Sequence, residues 1–217
     1  FTGFKDDPYQ RSYKLNYFNI IEDLATQREI SFFGSGHFSR PAKSFYRMLN
    51  LFRPAARKYQ ILKQQPGLQP GAQVWNTRCK NILVQGYWQN VKYFEPVADL
   101  IKKEFTLRHP LQGENLSWAQ KIRKENSVAV HIRDYSQAEG NVNARDLNKY
   151  APLGADYYQN ALNYLEKQVG NLHCFVFSDN PARARQILGL NHPVSFVTNN
   201  SLATDYEDLR LISLCHH

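Results

Sequence analysis

Acidic residues are missing from the whole stretch between Ile30 and Phe94. That stretch carries Arg40, Lys43, Arg47, Arg53, Arg57, Lys58, Lys63, Arg78, Lys80 and Lys92. These ten charges exceed the net +8 of the 217-residue chain, so the remainder is slightly acidic. Such asymmetry suits an anionic partner, and an ordinary solvated basic surface looks the same. No nucleic-acid motif accompanies the charge. The expected partner is therefore an anionic membrane surface or glycolipid, met through residues 40–63, and not nucleic acid.

Other scarcities narrow the class. No run approaches the ~20 apolar residues of a spanning helix. The three cysteines, Cys79, Cys174 and Cys215, form an odd set without CxxC spacing. This argues against a disulfide framework or a zinc site and for a reducing compartment. No GxGxxG and no P-loop occurs, which disfavours a dinucleotide dehydrogenase or a nucleoside triphosphatase. No Asp-x-Asp occurs, which weakens a metal-bridged diphosphate. The chain is not poor in core material: 13 Tyr, 13 Phe and 3 Trp argue against disorder. It starts in Phe1-Thr2-Gly3 and stops at His217 just after a helical pattern, so a fragment of a longer protein is expected.

The first half is irregular. Tyr13 to Phe18 reads as an extended piece, and Phe32 to Gly36 as a turn. A basic helix begins at Pro41, with Phe45, Met48, Leu49 and Phe52 at helical spacing. Pro66 to Gly71 is a loop. Asn81–Gln85 reads as a strand, followed by an aromatic turn, Gly86-Tyr87-Trp88-Gln89. Pro96 opens a helix with Val97, Leu100, Ile101 and Phe105 on one face. Leu107 to Ser117 reads as a polar connection, and a domain boundary is expected there, between regions 1–117 and 118–217.

The second half is regular. Strands are expected at Ser127–Ile132, Cys174–Phe177 and Val194–Val197. Helices are expected at Ala155–Val169, from Asn180-Pro181, and from Thr204, where Glu207 completes a capping box. Alternation of strand and helix predicts an α/β domain with a Rossmann-like parallel sheet, preceded by a mostly helical N-terminal part.

Ligands of such sheets bind outside the carboxyl ends of the strands. Three strand ends should converge there. The first presents His131, Arg133 and Asp134, the second Ser178, Asp179 and Asn180, and the third Thr198, Asn199 and Asn200. The planar fork of an arginine suits a diphosphate, and helix starts after Asn180 and Thr204 add N–H donors. Each feature also has a plain structural reading. An Arg–Asp pair can simply close a turn, His131 can be an ordinary strand histidine, and acids at a helix start are favoured by its dipole. The adjacent His216 and His217 do not face each other on a helix and make a poor metal pair.

Taken in order, five segments resemble bacterial α-1,2-fucosyltransferases, glycosyltransferase family 11. They are Asn81–Phe94, Ser127–Tyr135, Asp156-Tyr157-Tyr158 with Ala161, Phe175–Asp179, and Asp208–His217. The resemblance covers roughly two-thirds of the chain. It implies a two-domain GT-B-like fold, with residues 1–117 as a partial acceptor-side region and 118–217 as the donor-binding domain. It also implies GDP-fucose as donor, inversion at the anomeric carbon, and transfer without a metal or other cofactor. The acceptor implied is a glycan ending in galactose, such as lipopolysaccharide O-antigen, in the bacterial cytoplasm or on the inner face of its membrane. Arg133 matches the arginine that holds the donor diphosphate. His131 and Asp208 match guanine-contacting positions, and Ser178 and Asp179 fall near the diphosphate and fucose. The catalytic base is left open between Asp134 and Glu139. The chain departs from the family motif in lacking an Arg-Gly between Arg133 and Asp134. It also lacks the glycine-rich N-terminal segment and the Ser-Phe-Ser-Trp-Trp segment beyond His217. These departures keep alive a reading from another class, a non-catalytic basic module that binds glycan or membrane. A related transferase with a different GDP-sugar is a third.

Overall fold

A computed structural model describes residues 12–26, 28–29, 33, 40–64, 79–86, 88, 90–134, 153–189 and 191–217. The chain divides into two compact units, one spanning Ile20–Thr106, the other Leu107–His217 joined by the segment ending at Asn19.

In the first unit, helix α1 is Arg40–Phe52. Strands β1 (Tyr59–Lys63) and β2 (Asn81–Gln85) pair in parallel, Tyr59 opposite Asn81. Helix α2 is Ala98–Glu104. The strand pair means that the description "mostly helical" holds only in part for this region. Its β1 was hidden because five residues of mixed polarity show no clear period. Gly86 sits at a φ of +143°, where any Cβ would collide with the Gln64 side chain. α1 is held from its polar side. The Asn50 amide donates to the Tyr59 carbonyl at 2.8 Å and accepts from the Tyr59 N–H at 3.1 Å. Its apolar stripe, Phe45, Met48, Leu49 and Phe52, is exposed.

The second unit carries the regular pattern. Helix α3 (Gly113–Lys124) leads into β3 (Ser127–Ile132), α4 (Ala155–Val169), β4 (His173–Ser178), α5 (Pro181–Ile187), β5 (Val194–Val197) and α6 (Asp205–Ile212). The strands form a parallel sheet in the order β3-β4-β5. Strand alternation sends side chains to two faces. Val128, Val130, Ile132, Cys174 and Val176 pack against Leu162 of α4 and Ala184 of α5. Phe175, Phe177 and Val197 pack against Ala119 and Ile122 of α3 and Leu211 of α6. The result is three layers, helices on both faces of a parallel sheet. Burial pushes the Cys174 thiol up to about 11.

Three local expectations fail here. Residues 113–124, the first five of them assigned to a polar connection, form α3, and position 117 lies inside it. Ala119 and Ile122 are the signal, a buried pair at helical spacing among polar neighbours. The capping box at Thr204 does not form. The Thr204 hydroxyl instead accepts the Ser201 N–H at 3.0 Å, and Glu207 pairs with Arg210 at 3.3 Å. The expected extended piece near the amino end is a 3-10 turn, Leu15–Tyr17. Tyr17 stacks on Tyr206 with centroids 4.0 Å apart.

Candidate functional site

The parallel register determines what meets at the carboxyl edge. His131 lies opposite Phe177, and Ile132 opposite Ser178. One step on, Arg133 stands beside Asp179. The Arg133 Nε lies 3.0 Å from Asp179 Oδ2, and the backbone N–H of Asp134 donates to Asp179 Oδ1 at 2.8 Å. Both oxygens of one carboxylate are thus used to hold the β3 end, one of them on the arginine side chain. A guanidinium gripped through Nε has its plane set, which prepares an arginine for bidentate recognition of an anion.

Asp134 is buried, at 5% exposure. Its Oδ2 accepts the Asn180 amide N–H at 2.9 Å. Asn180 in turn caps α5, its Oδ1 accepting the Arg183 N–H at 3.1 Å, as expected for Asn before Pro. Its own N–H donates to the Ser178 hydroxyl at 3.1 Å. Asp134, Ser178 and Asn180 therefore tie the ends of β3 and β4 to the start of α5. Asp134→Ala should cost on the order of 1–3 kcal/mol, because the Asn180 amide loses a buried acceptor. Asp134→Asn, which keeps an acceptor oxygen, should cost less. Urea unfolding of both variants measures this, and no change for Asp134→Ala would remove the tie from the account.

A second cluster lies on the α3/α6 face of the same edge. The Asn200 amide donates to Asp208 Oδ1 at 2.7 Å. Burial pushes the Asp208 carboxyl above its usual range. The Asn200 hydrogen bond opposes the rise, nearby Asp205 adds to it, and nearby His131 opposes it. His131 and Asp208, far apart in sequence, are thus electrostatic neighbours. His131 itself is exposed at the strand end. Asn115 of α3 joins this cluster through Asn199 and Asn200. Sequence reading placed Asn199 and Asn200 at the edge but missed Asn115, because α3 itself was missed.

The structure so gathers His131, Arg133, Asp134, Ser178, Asp179 and Asp208 on one sheet edge. Glu139 lies outside the described residues. Among the described residues, no group of three or more His, Cys, Asp or Glu is placed to hold a metal ion. No helix among them is long and apolar enough to cross a membrane.

An α/β protein with a parallel sheet of this kind has the architecture in which ligands bind outside the carboxyl ends of the strands, and here that edge carries an arginine. Comparison with known proteins is more specific. The family model for glycosyl transferase family 11 matches residues 57–217, and the chain belongs to that family. It is similar to the alpha-1,2-colitosyltransferase of Escherichia coli, 32% identical over 127 residues, 55% of this chain and 41% of the relative. It is also similar to the O-antigen biosynthesis glycosyltransferase WbnK of Escherichia coli, 28% identical over 226 aligned positions, 95% of this chain and 69% of the relative. The chain therefore spans two-fifths of the first relative's length and little more than two-thirds of the second's. No solved structure matches it.

Proposed function

We propose that this chain contributes the donor-binding half of a glycosyltransferase that moves fucose from GDP-fucose to a galactose hydroxyl of a surface glycan, in α-1,2 linkage and with inversion. The observation that carries the reading is the Arg133–Asp179 pair at the carboxyl edge, beside His131 and Asp208. In this reading the fold is GT-B-like, region 118–217 holds GDP-fucose, and the preceding region faces the acceptor. Arg133 binds the diphosphate and neutralises the charge that develops on departing GDP. Asp179 orders Arg133, Ser178 lies beside it, and His131 and Asp208 contact guanine. The acceptor hydroxyl oxygen attacks the anomeric carbon from the face opposite GDP. The bond to the diphosphate oxygen breaks, its electron pair leaves with GDP, and the hydroxyl proton passes to a carboxylate. The base is left open between Asp134 and Glu139, the first two carboxylates after β3 in the sequence. No metal or other cofactor takes part. An O-antigen acceptor is supported by the name of one relative, and a bacterial cytoplasmic site beside the membrane follows from such an acceptor. The colitosyltransferase relative makes the donor sugar a real variable, which a panel of GDP-sugars resolves.

One observation favours the second reading, a basic module on an anionic surface. The stripe of α1 is turned outward, with Phe52 81% exposed, within the stretch that has no acidic residue. That combination suits an interfacial helix on anionic lipid.

Calorimetric titration of the 217-residue chain with GDP, GDP-fucose and ADP, alongside liposome flotation, separates the two. We expect guanine nucleotides to bind and ADP to bind at least about tenfold more weakly, since an unpaired carboxylate rejects adenine. Liposome binding without any guanine preference would replace the transferase reading by the module.

A further inference from the structure

Asp208 does not stand alone at the sheet edge. Its Oδ1 accepts from Asn200 at 2.7 Å, a short charge-assisted bond. Asn200 is itself clamped. Its Nδ2 also donates to Asn115 Oδ1 at 3.1 Å, while its Oδ1 accepts from Asn115 Nδ2 at 3.0 Å and from Asn199 Nδ2 at 3.4 Å. Asn199 Nδ2 donates to Asn115 Oδ1 at 2.8 Å. Three elements therefore meet in one amide knot: α3, the segment after β5, and α6.

The direction of every amide is determined. An ionised carboxylate only accepts, so the Nδ2 end of Asn200 must face Asp208. Asn200 Oδ1 then points at donors, which orients Asn115 and Asn199 in turn. Asn199 Oδ1 is buried and has no hydrogen-bond partner among the described residues, and turning the amide over would set that oxygen against the Asn115 and Asn200 oxygens. Broken local rules of this kind gather at functional or strained places.

We propose that Asn200, braced by Asn115 and Asn199, is a positioning residue that holds the Asp208 carboxylate in one rotamer, ionised, as the acceptor that reads the N–H edge of the donor base. This rests on the donor-site reading above. Burial and Asp205 on α6 favour the neutral carboxyl, and His131 on β3 opposes them. Lys14 sits 3.6 Å from Asp205 and belongs to the same charge set, while α3 contributes the neutral Asn115. A protonated Asp208 presents one acceptor fewer to a base that offers two N–H groups. Asn200 keeps the acceptor form available at the carboxyl edge, and Asn115 and Asn199 keep Asn200 in place.

The test has two arms on the full chain. In the first, carbon-detected NMR follows the Asp208 carboxyl titration in wild type and Asn200→Leu. The midpoint should move further up in the variant, because the bond that opposes burial is gone. In the second, calorimetry compares GDP with inosine diphosphate, which lacks the exocyclic amine. Wild type should prefer GDP by about tenfold, the worth of one bond to a charged group. Asn200→Leu should bring that ratio close to one while diphosphate-dependent affinity persists, and binding should fade at a higher pH than in wild type. Should Asn200→Leu fail to fold, Asn115→Ala removes the brace and should shift both readouts the same way by less. An unmoved midpoint overturns the proposal whatever the nucleotide does. A moved midpoint with an unchanged GDP preference reduces the knot to a structural tie and overturns it too. Wild type that binds no guanine nucleotide defeats the donor-site reading itself.

Discussion

If the proposed donor site is right, Arg133→Ala should lower GDP affinity at least about 30-fold and abolish sugar transfer. The size follows from the chemistry. Truncating one partner of a hydrogen-bonded charge pair typically costs about 2–5 kcal/mol, and each 1.4 kcal/mol is tenfold in affinity. Arg133 is half-buried and already gripped through Nε by Asp179, so its charge is delivered without ordering a free side chain. Arg133→Lys keeps the charge and loses the planar fork, so it should recover only part of the affinity. Arg133→Ala also leaves the Asp179 carboxylate held by the Asp134 N–H without its charge partner, and a modest loss of stability should accompany the binding defect. Calorimetry gives the affinity and thermal unfolding the stability. GDP affinity within threefold of wild type would end the assignment of Arg133 to the diphosphate.

Phe177→Ala should destabilise the second unit by about 3–5 kcal/mol, the usual cost of removing a buried ring and leaving a cavity. Phe177 is 1% exposed on the central strand, opposite His131 and Val197, and packs with Ala119, Ile122 and Leu211. Native stabilities lie in the range of about 5–15 kcal/mol, so this one change removes a large share. Tyr164→Ala, on α4 of the same unit, is the control. That ring is 66% exposed, and its loss should stay well below about 1 kcal/mol. Urea denaturation with an unchanged slope compares them. Equal costs for the two rings would mean that the second hydrophobic cluster is not the core of this unit.

The β-strands of the second unit were readable from the sequence because they are short apolar runs with hard ends. Ser127–Ile132 and Val194–Val197 appear as expected, and β4 extends the expected run by one residue at each end. The Ala155–Val169 helix was readable from its stripe, and the start of α5 from Asn180-Pro181. α3 was not, since its core contribution is two residues, Ala119 and Ile122, in a segment otherwise polar. The Thr204 box failed because a hydroxyl can serve the turn before a helix as well as its first N–H groups. For the edge, sequence order alone could place Arg133 and Asp179 on neighbouring strand ends. Their pairing needed the register, which no local pattern encodes. The Asn115–Asn200–Asp208 knot joins positions 85 and 8 residues apart, and its first member sits on the helix that sequence reading passed over.

The pairing register of β3 also bears on which changes of length this unit can absorb. Up to Ile132 the backbone is committed to the ladder, and one residue gained or lost within β3 would turn every following side chain to the opposite face. At Arg133 and Asp134 the partner changes from a strand to a single side chain, the Asp179 carboxylate. A change of length at that point falls on the arginine and its carboxylate and spares the core, so the reach of Arg133 is open to adjustment while the sheet that carries it stays the same.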